Sequence, residues 1–146
     1  MLGRLARYLR FVGCDTAYGR DSSDDDLLAR ARREGRVLLT RDRGLSRRDP
    51  SAFLVESPHL AEQWRAVRAA WPTVPTEPVL ARCTLCNDLL ERCEPGPVVG
   101  DDLPPAVRSG AAPLYVCRGC GHRYWEGSHT AKVRATIAAW ERGADP

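Results

Sequence analysis

Residues 37–45 read VLLTRDRGL. Three apolar residues and a threonine have the makings of a short buried strand, and they give way to a carboxylate, Asp42, set between Arg41 and Arg43. What flanks this stretch makes the strand one of a series. Upstream, Ser22 or Ser23 can cap a helix whose first turn is Asp24, Asp25 and Asp26 and which runs through LLARARRE to Gly35, a residue suited to end it in the left-handed conformation. Downstream, RGLSRR reads as a short helical turn and AFLV (52–55) as another strand. HLAEQWRAVRAAW (59–71) then reads as a helix with Leu60, Trp64, Val67 and Trp71 on one face. Nearer the start, Leu2, Leu5, Leu9 and Val12 recur at helical spacing beside Arg4, Arg7 and Arg10. Gly13 stops that helix, and DTAY (15–18) reads as a strand. Strands alternating with helices predict an α/β fold, a parallel sheet flanked by helices.

In an open parallel sheet, ligands bind beyond the carboxyl ends of the strands. Asp42 stands at that end of VLLT. A helix antiparallel to the strand it precedes starts near the same rim, so Asp24 and Asp25 are expected beside Asp42, with Asp26 a weaker member next to Leu27 and Leu28. Carboxylates gathered in this way repel one another unless a divalent cation, Mg²⁺ or Mn²⁺, neutralises them. Such an ion can polarise a phosphoryl group and activate water, and Arg41, Arg43, Arg47 and Arg48 would face the phosphate. A purely structural explanation also exists: aspartates in a helix's first turn are stabilised by its dipole by about 0.3–1 kcal/mol each. Spacing alone leaves both readings open.

PTVPTEPVL (72–80) carries three prolines in nine residues and reads as an extended linker, which predicts a first domain over 1–75 and a second over 76–146. Of the six cysteines, only Cys14 precedes it. Cys83 and Cys86 form one C-x-x-C pair and Cys117 and Cys120 another, a set of four thiolates that closes a tetrahedral structural zinc site and leaves no position open for catalysis. The intervening GPVVGDDLPP and RSGAAP stretches can absorb the long spacing as loop, while Cys14 and Cys93 are expected to be packing residues and His122 to stay out of the site. A redox role suits the pairs less well, because that chemistry uses one C-x-x-C at a helix start. Tyr115, Tyr124 and Trp125 beside the knuckles could stack on bases or pack the ribbon, and after a cap at Ser128 a helix would place Val133, Ile137 and Trp140 on one face.

The formal charge is +3, and of the 22 basic residues only Lys132 is lysine. Through residue 80 there are 14 arginines against 11 acids, and beyond it eight basic residues against eight acidic ones, so any basic footprint belongs to the first half. Arginine grips phosphate with a bidentate fork, which fits a nucleic-acid partner, although a GC-rich coding sequence would give the same bias. No apolar run approaches the roughly 18 residues of a membrane span. The opening MLGRLARYLRFVGC has arginine throughout its apolar run, so it reads as a helix and not a signal peptide, and a cytoplasmic location is expected. In that compartment the cysteines would hold metal or stay reduced.

Taken in order, MLGRLARYLRFVGCDT, DDDLLARAR, RVLLTRDRGL, RCTLC and CRGCGHRYWEGSH resemble the Mut-7 C-terminal RNase domain family over nearly the whole chain. The resemblance implies a PIN-like nuclease fold followed by a zinc ribbon, and divalent-metal-dependent hydrolysis of RNA. It carries the acidic site over to Asp24, Asp25 and Asp42. Arg4, Arg7, Arg41 and Arg43 are the expected RNA contacts. A homodimer is compatible with such folds, and no small-molecule cofactor is expected. In the family a strand ending in an aspartate precedes the MLG helix, whereas residue 1 here is that methionine. Without that strand the sheet is expected to lose a member, and metal affinity to fall. The alternative is then a catalytically impaired RNA-binding or ribonucleoprotein adaptor. A third reading is a zinc-stabilised protein-interaction module.

Overall fold

The leucine periodicity at the start produces α1 (Gly3–Phe11), which buries Leu5 and Leu9 and leaves Arg4 and Arg7 exposed; Val12, just past its end, is buried too. Gly13, at φ +87°, closes it with its amide on the Arg10 carbonyl at 2.9 Å. The computed structural model describes residues 2–94 and 96–145. These divide into two compact units, and the division falls inside α1. One unit holds the residues up to Ala6 and Ala17–Thr73; the other holds Arg7–Thr16 and the residues from Val74 onward.

In the first unit Ser23 is the N-cap of α2 (Asp24–Glu34), its hydroxyl oxygen accepting from the Asp26 amide at 3.2 Å, and Gly35 ends the helix at φ +61°. β1 (Leu39–Thr40) and β2 (Phe53–Leu54) pair in parallel, Leu39 opposite Phe53 and Thr40 opposite Leu54. The amides of Phe53 and Val55, on the Leu38 and Thr40 carbonyls, carry the ladder on at both ends. α3 (Arg43–Arg48) forms the crossover between them, and α4 (Leu60–Ala70) follows. Trp64, fully buried, and Val67 are the centre of the apolar face of α4; Leu28 and Ala31 of α2, Leu45 of α3 and Val55, just after β2, are buried as well.

The sheet is smaller than expected. DTAY is not a strand, and in VLLT only Leu39 and Thr40 pair, while Val37 is 52% exposed. The DTAY backbone finds side-chain partners instead: the Thr16 amide donates to Asn87 Oδ1 at 2.9 Å and its carbonyl accepts from Arg10 Nε at 2.8 Å. Those bonds occupy groups that a neighbouring strand would need.

In the second unit β3 (Leu90–Arg92), β4 (Tyr115–Cys117) and β5 (Arg123–Tyr124) form an antiparallel sheet in that order. The segment between the cysteine pairs is more than loop. It contains α5 (Pro105–Arg108), and Leu103, Val107 and Leu114 make a small core on which Cys93, Val98 and Trp125 pack. Arg123 fastens it, its Nη2 donating to both carboxylate oxygens of Asp102 at 2.6 and 2.7 Å. In α6 (Ser128–Glu141), Val133, Ile137 and Trp140 are buried. The Tyr8 ring lies 4.6 Å from Trp140 and the Phe11 ring 5.5 Å from His129, so the second half of α1 is packed with α6. Ser128 is the first residue of this helix and not its cap; Gly127 holds the cap position without a side-chain bond.

Candidate metal centre and acidic rim

Two C-x-x-C loops build the candidate metal centre, and they repeat each other bond for bond. In the first, the Asn87 amide reaches the Cys83 carbonyl at 2.9 Å and the Cys86 amide lies 3.4 Å from Cys83 Sγ. In the second, the Gly121 amide reaches the Cys117 carbonyl at 3.0 Å and the Cys120 amide lies 3.5 Å from Cys117 Sγ. Each loop then turns through the left-handed region, Asn87 at φ +76° and Gly121 at φ +71°. Glycine reaches that conformation without cost, and asparagine is the residue that tolerates it next best. Asparagine at 87 has further uses, because its side chain holds both the Thr16 amide and, at 2.7 Å, the Asp15 carboxylate.

The four sulfurs all lie within 4.8 Å of one another. Cys83 and Cys120 Sγ are 3.6 Å apart and Cys86 and Cys117 Sγ 3.3 Å, far beyond a disulfide bond, and all four thiols are free. A tetrahedron with Zn–S bonds of about 2.3 Å has edges of about 3.8 Å. Four thiolates at this spacing, with amides aimed at two of them, fit a structural zinc ion.

Tyr124 supports one ligand. Its hydroxyl lies 3.1 Å from Cys83 Sγ, and it accepts from the Thr84 amide at 3.1 Å. The Thr84 hydroxyl, 3.2 Å away, can fill its other lone pair, which leaves the phenolic proton for the sulfur. Burial would raise the Cys83 thiol, but this bond and the amides of Cys86 and Leu85 outweigh it and bring the thiol down to about 6. Tyr124 and Trp125 are thus packing residues, Tyr124 against the knuckle and the His122 ring and Trp125 against the small core. His122 is exposed.

On the first unit, Asp42 is the N-cap of α3. Its Oδ1 accepts from the Gly44 amide at 2.6 Å and the Leu45 amide at 3.0 Å, while its own amide donates to Thr40 Oγ1 at 3.0 Å. Arg48, the last residue of the same helix, hydrogen-bonds Asp25 and lies 3.9 Å from Asp24. The three acids therefore surround one short helix, Asp42 at its start and the aspartate pair at its end. They do not form a ready cation cage: among the described residues, the four cysteines are the group of three or more potential ligands gathered closely enough to hold an ion. Asp26 bonds the Ser23 hydroxyl. Of the arginines expected to meet phosphate, Arg4 and Arg7 are exposed, Arg43 pairs with Glu56 at 2.9 Å, and Arg41 is half-buried with its Nε lacking a hydrogen-bond partner.

Sequence reasoning missed Tyr124 as a sulfur partner and Asn87 as a turn residue. Asn87 had a signal, since it follows its C-x-x-C pair at the position Gly121 occupies in the other.

Fold and site together define an α/β protein with small parallel and antiparallel sheets and a cluster of four cysteines that could hold a zinc ion. Residues 1–137 match the Mut7-C RNAse domain family, and the chain belongs to it. No curated protein and no solved structure matches the chain. Among the described residues no helix is long and apolar enough to cross a membrane.

Proposed function

We propose that this protein is a ribonuclease that hydrolyses RNA phosphodiester bonds with the help of a divalent metal ion, on a PIN-like first domain followed by a zinc ribbon that assists binding of RNA or a partner. The match to an RNase domain family over residues 1–137 carries the reading. It is supported by three carboxylates around α3, beside exposed arginines suited to phosphate. The metal part of the proposal makes a demand on Arg48. Its guanidinium pairs with Asp25 and lies beside Asp24, offsetting one of their two negative charges, so a Mg²⁺ or Mn²⁺ ion held by those carboxylates has to displace it.

A second reading, an RNA-binding adaptor without turnover, is favoured by that same ion pair and by the engagement of Asp42 in capping α3. The deciding experiment follows end-labelled single-stranded RNA with the full chain in Mn²⁺, with EDTA, and with Asp42→Asn. Metal-dependent cutting that disappears in Asp42→Asn is the expected result. Salt-dependent binding without cutting in any divalent metal would establish the adaptor, and failure to bind at low salt would refute both.

A further inference from the structure

Arg10 is the most buried arginine of the described residues, 5% exposed, yet its hydrogen-bond partners are three carbonyl oxygens. Nε donates to Thr16, and Nη1 donates to Thr84 at 3.0 Å and to Leu85 at 2.9 Å. A guanidinium withdrawn from water needs an opposite charge close by, and carbonyls supply none. Thr84 and Leu85 are the two residues between Cys83 and Cys86. A trans peptide points its N–H opposite to its C=O. The carbonyls that Arg10 grips therefore belong to the peptide planes whose amides, those of Leu85 and Cys86, turn toward Cys83 Sγ. Four thiolates around Zn²⁺ carry a net charge of −2.

We propose that Arg10 is the counter-ion and positioning residue of the zinc centre, acting on Cys83 through those two peptide planes. Its charge polarises both peptides so that their amides bind the sulfur more strongly, and it offsets part of the negative charge that the ligands bring together. Tyr124 approaches the same sulfur by its hydroxyl, so Cys83 is the ligand most supported by hydrogen bonds. The inference rests on the reading of the four cysteines as a zinc site, and its test separates the two.

Zinc content and release to a chromogenic chelator are measured on the full chain, together with the sulfur-to-cobalt charge-transfer band of the Co²⁺-substituted protein, for wild type, Arg10→Lys and Arg10→Gln. Wild type without stoichiometric zinc would overturn the site itself. With zinc present, Arg10→Gln is expected to release it at least tenfold faster and to move the band to lower energy, because a less compensated thiolate is a better donor. Arg10→Lys, which keeps the charge and loses the fork, should fall between. Release within twofold of wild type and an unmoved band in Arg10→Gln would overturn the inference. Should Arg10→Gln fail to fold, the guanidinium resonance of Arg10 in the wild-type chain decides. A shift and loss of exchange protection on zinc removal supports the counter-ion role, and an unchanged resonance shows that the carbonyls alone hold the residue.

Discussion

Asp42 can be tested for its structural work separately from any chemistry. The cap consists of two bonds to one oxygen, from the amides of Gly44 and Leu45, at the start of α3. Asp42→Ala removes both, and losing an N-cap costs about 1 kcal/mol, within a range of roughly 0.5–2. The carboxylate's charge at a helix start adds about 0.3–1 kcal/mol at low ionic strength. Together the alanine variant should lose about 1.5 kcal/mol. Asparagine keeps an acceptor oxygen and caps about as well as aspartate, so Asp42→Asn should lose only the charge contribution, about 0.5 kcal/mol. With a urea m-value of about 1 kcal/mol/M for a small unit, the midpoint falls by roughly 1.5 M for alanine and 0.5 M for asparagine. The fluorescence of Trp64, fully buried in the same unit, reports the transition. An alanine variant that unfolds at the wild-type midpoint would refute the cap. An asparagine variant as unstable as alanine would show that its oxygen cannot replace the carboxylate, and would disqualify Asp42→Asn as a clean probe of cleavage.

Three further outcomes follow from the same structure. Trp64→Ala should cost about 3–5 kcal/mol, enough to unfold the first unit, which far-ultraviolet circular dichroism will show as lost helix. Gly35→Ala meets no atom within 4 Å, so its cost is the backbone penalty at φ +61° alone, about 1 kcal/mol read from a urea midpoint. Asp49 is held below the usual carboxylate range by the Ser51 hydroxyl and amide, with Arg32 adding to them. Its stabilisation is therefore complete above the ordinary carboxylate pKa and is lost as pH falls through the lower, folded value. Midpoints of wild type and Asp49→Asn measured across that range should converge in acid, and parallel curves would refute the assignment.

The elements legible in the sequence were those decided locally. Ser23, the aspartate turn and Gly35 bracket α2 as read, and the Trp64 and Val67 face of α4 is buried as read. The knuckles were legible because each is fixed within five residues by its own cysteines. What could not be read depended on distant partners. DTAY has the composition of a strand, but Arg10 and Asn87 take its backbone groups, and Asn87 is 71 residues from Thr16. Arg10 itself sits among arginines that face water, and nothing local sets it apart from Arg4 and Arg7. At the acidic rim, sequence spacing brought Asp24 and Asp25 toward the end of the strand but did not show Arg48 reaching back from α3 to pair with them.

The second unit is assembled from two stretches of chain, Arg7–Thr16 and the residues from Val74 onward, with the whole of Ala17–Thr73 made between them. A ribosome therefore delivers Arg10 long before two of its three acceptors, which lie 74 and 75 residues later. At roughly 5–20 residues per second, the wait is on the order of 4–15 seconds. During it, Tyr8 and Phe11 lack Trp140 and His129, the rings they meet in the folded chain, and a nascent-chain chaperone could shield them. Capture of a metal by the four cysteines would come later still, since Cys120 must emerge before the fourth thiolate exists. A fragment cut at the proline-rich stretch would keep all four cysteines and yet lack the arginine held at their first knuckle.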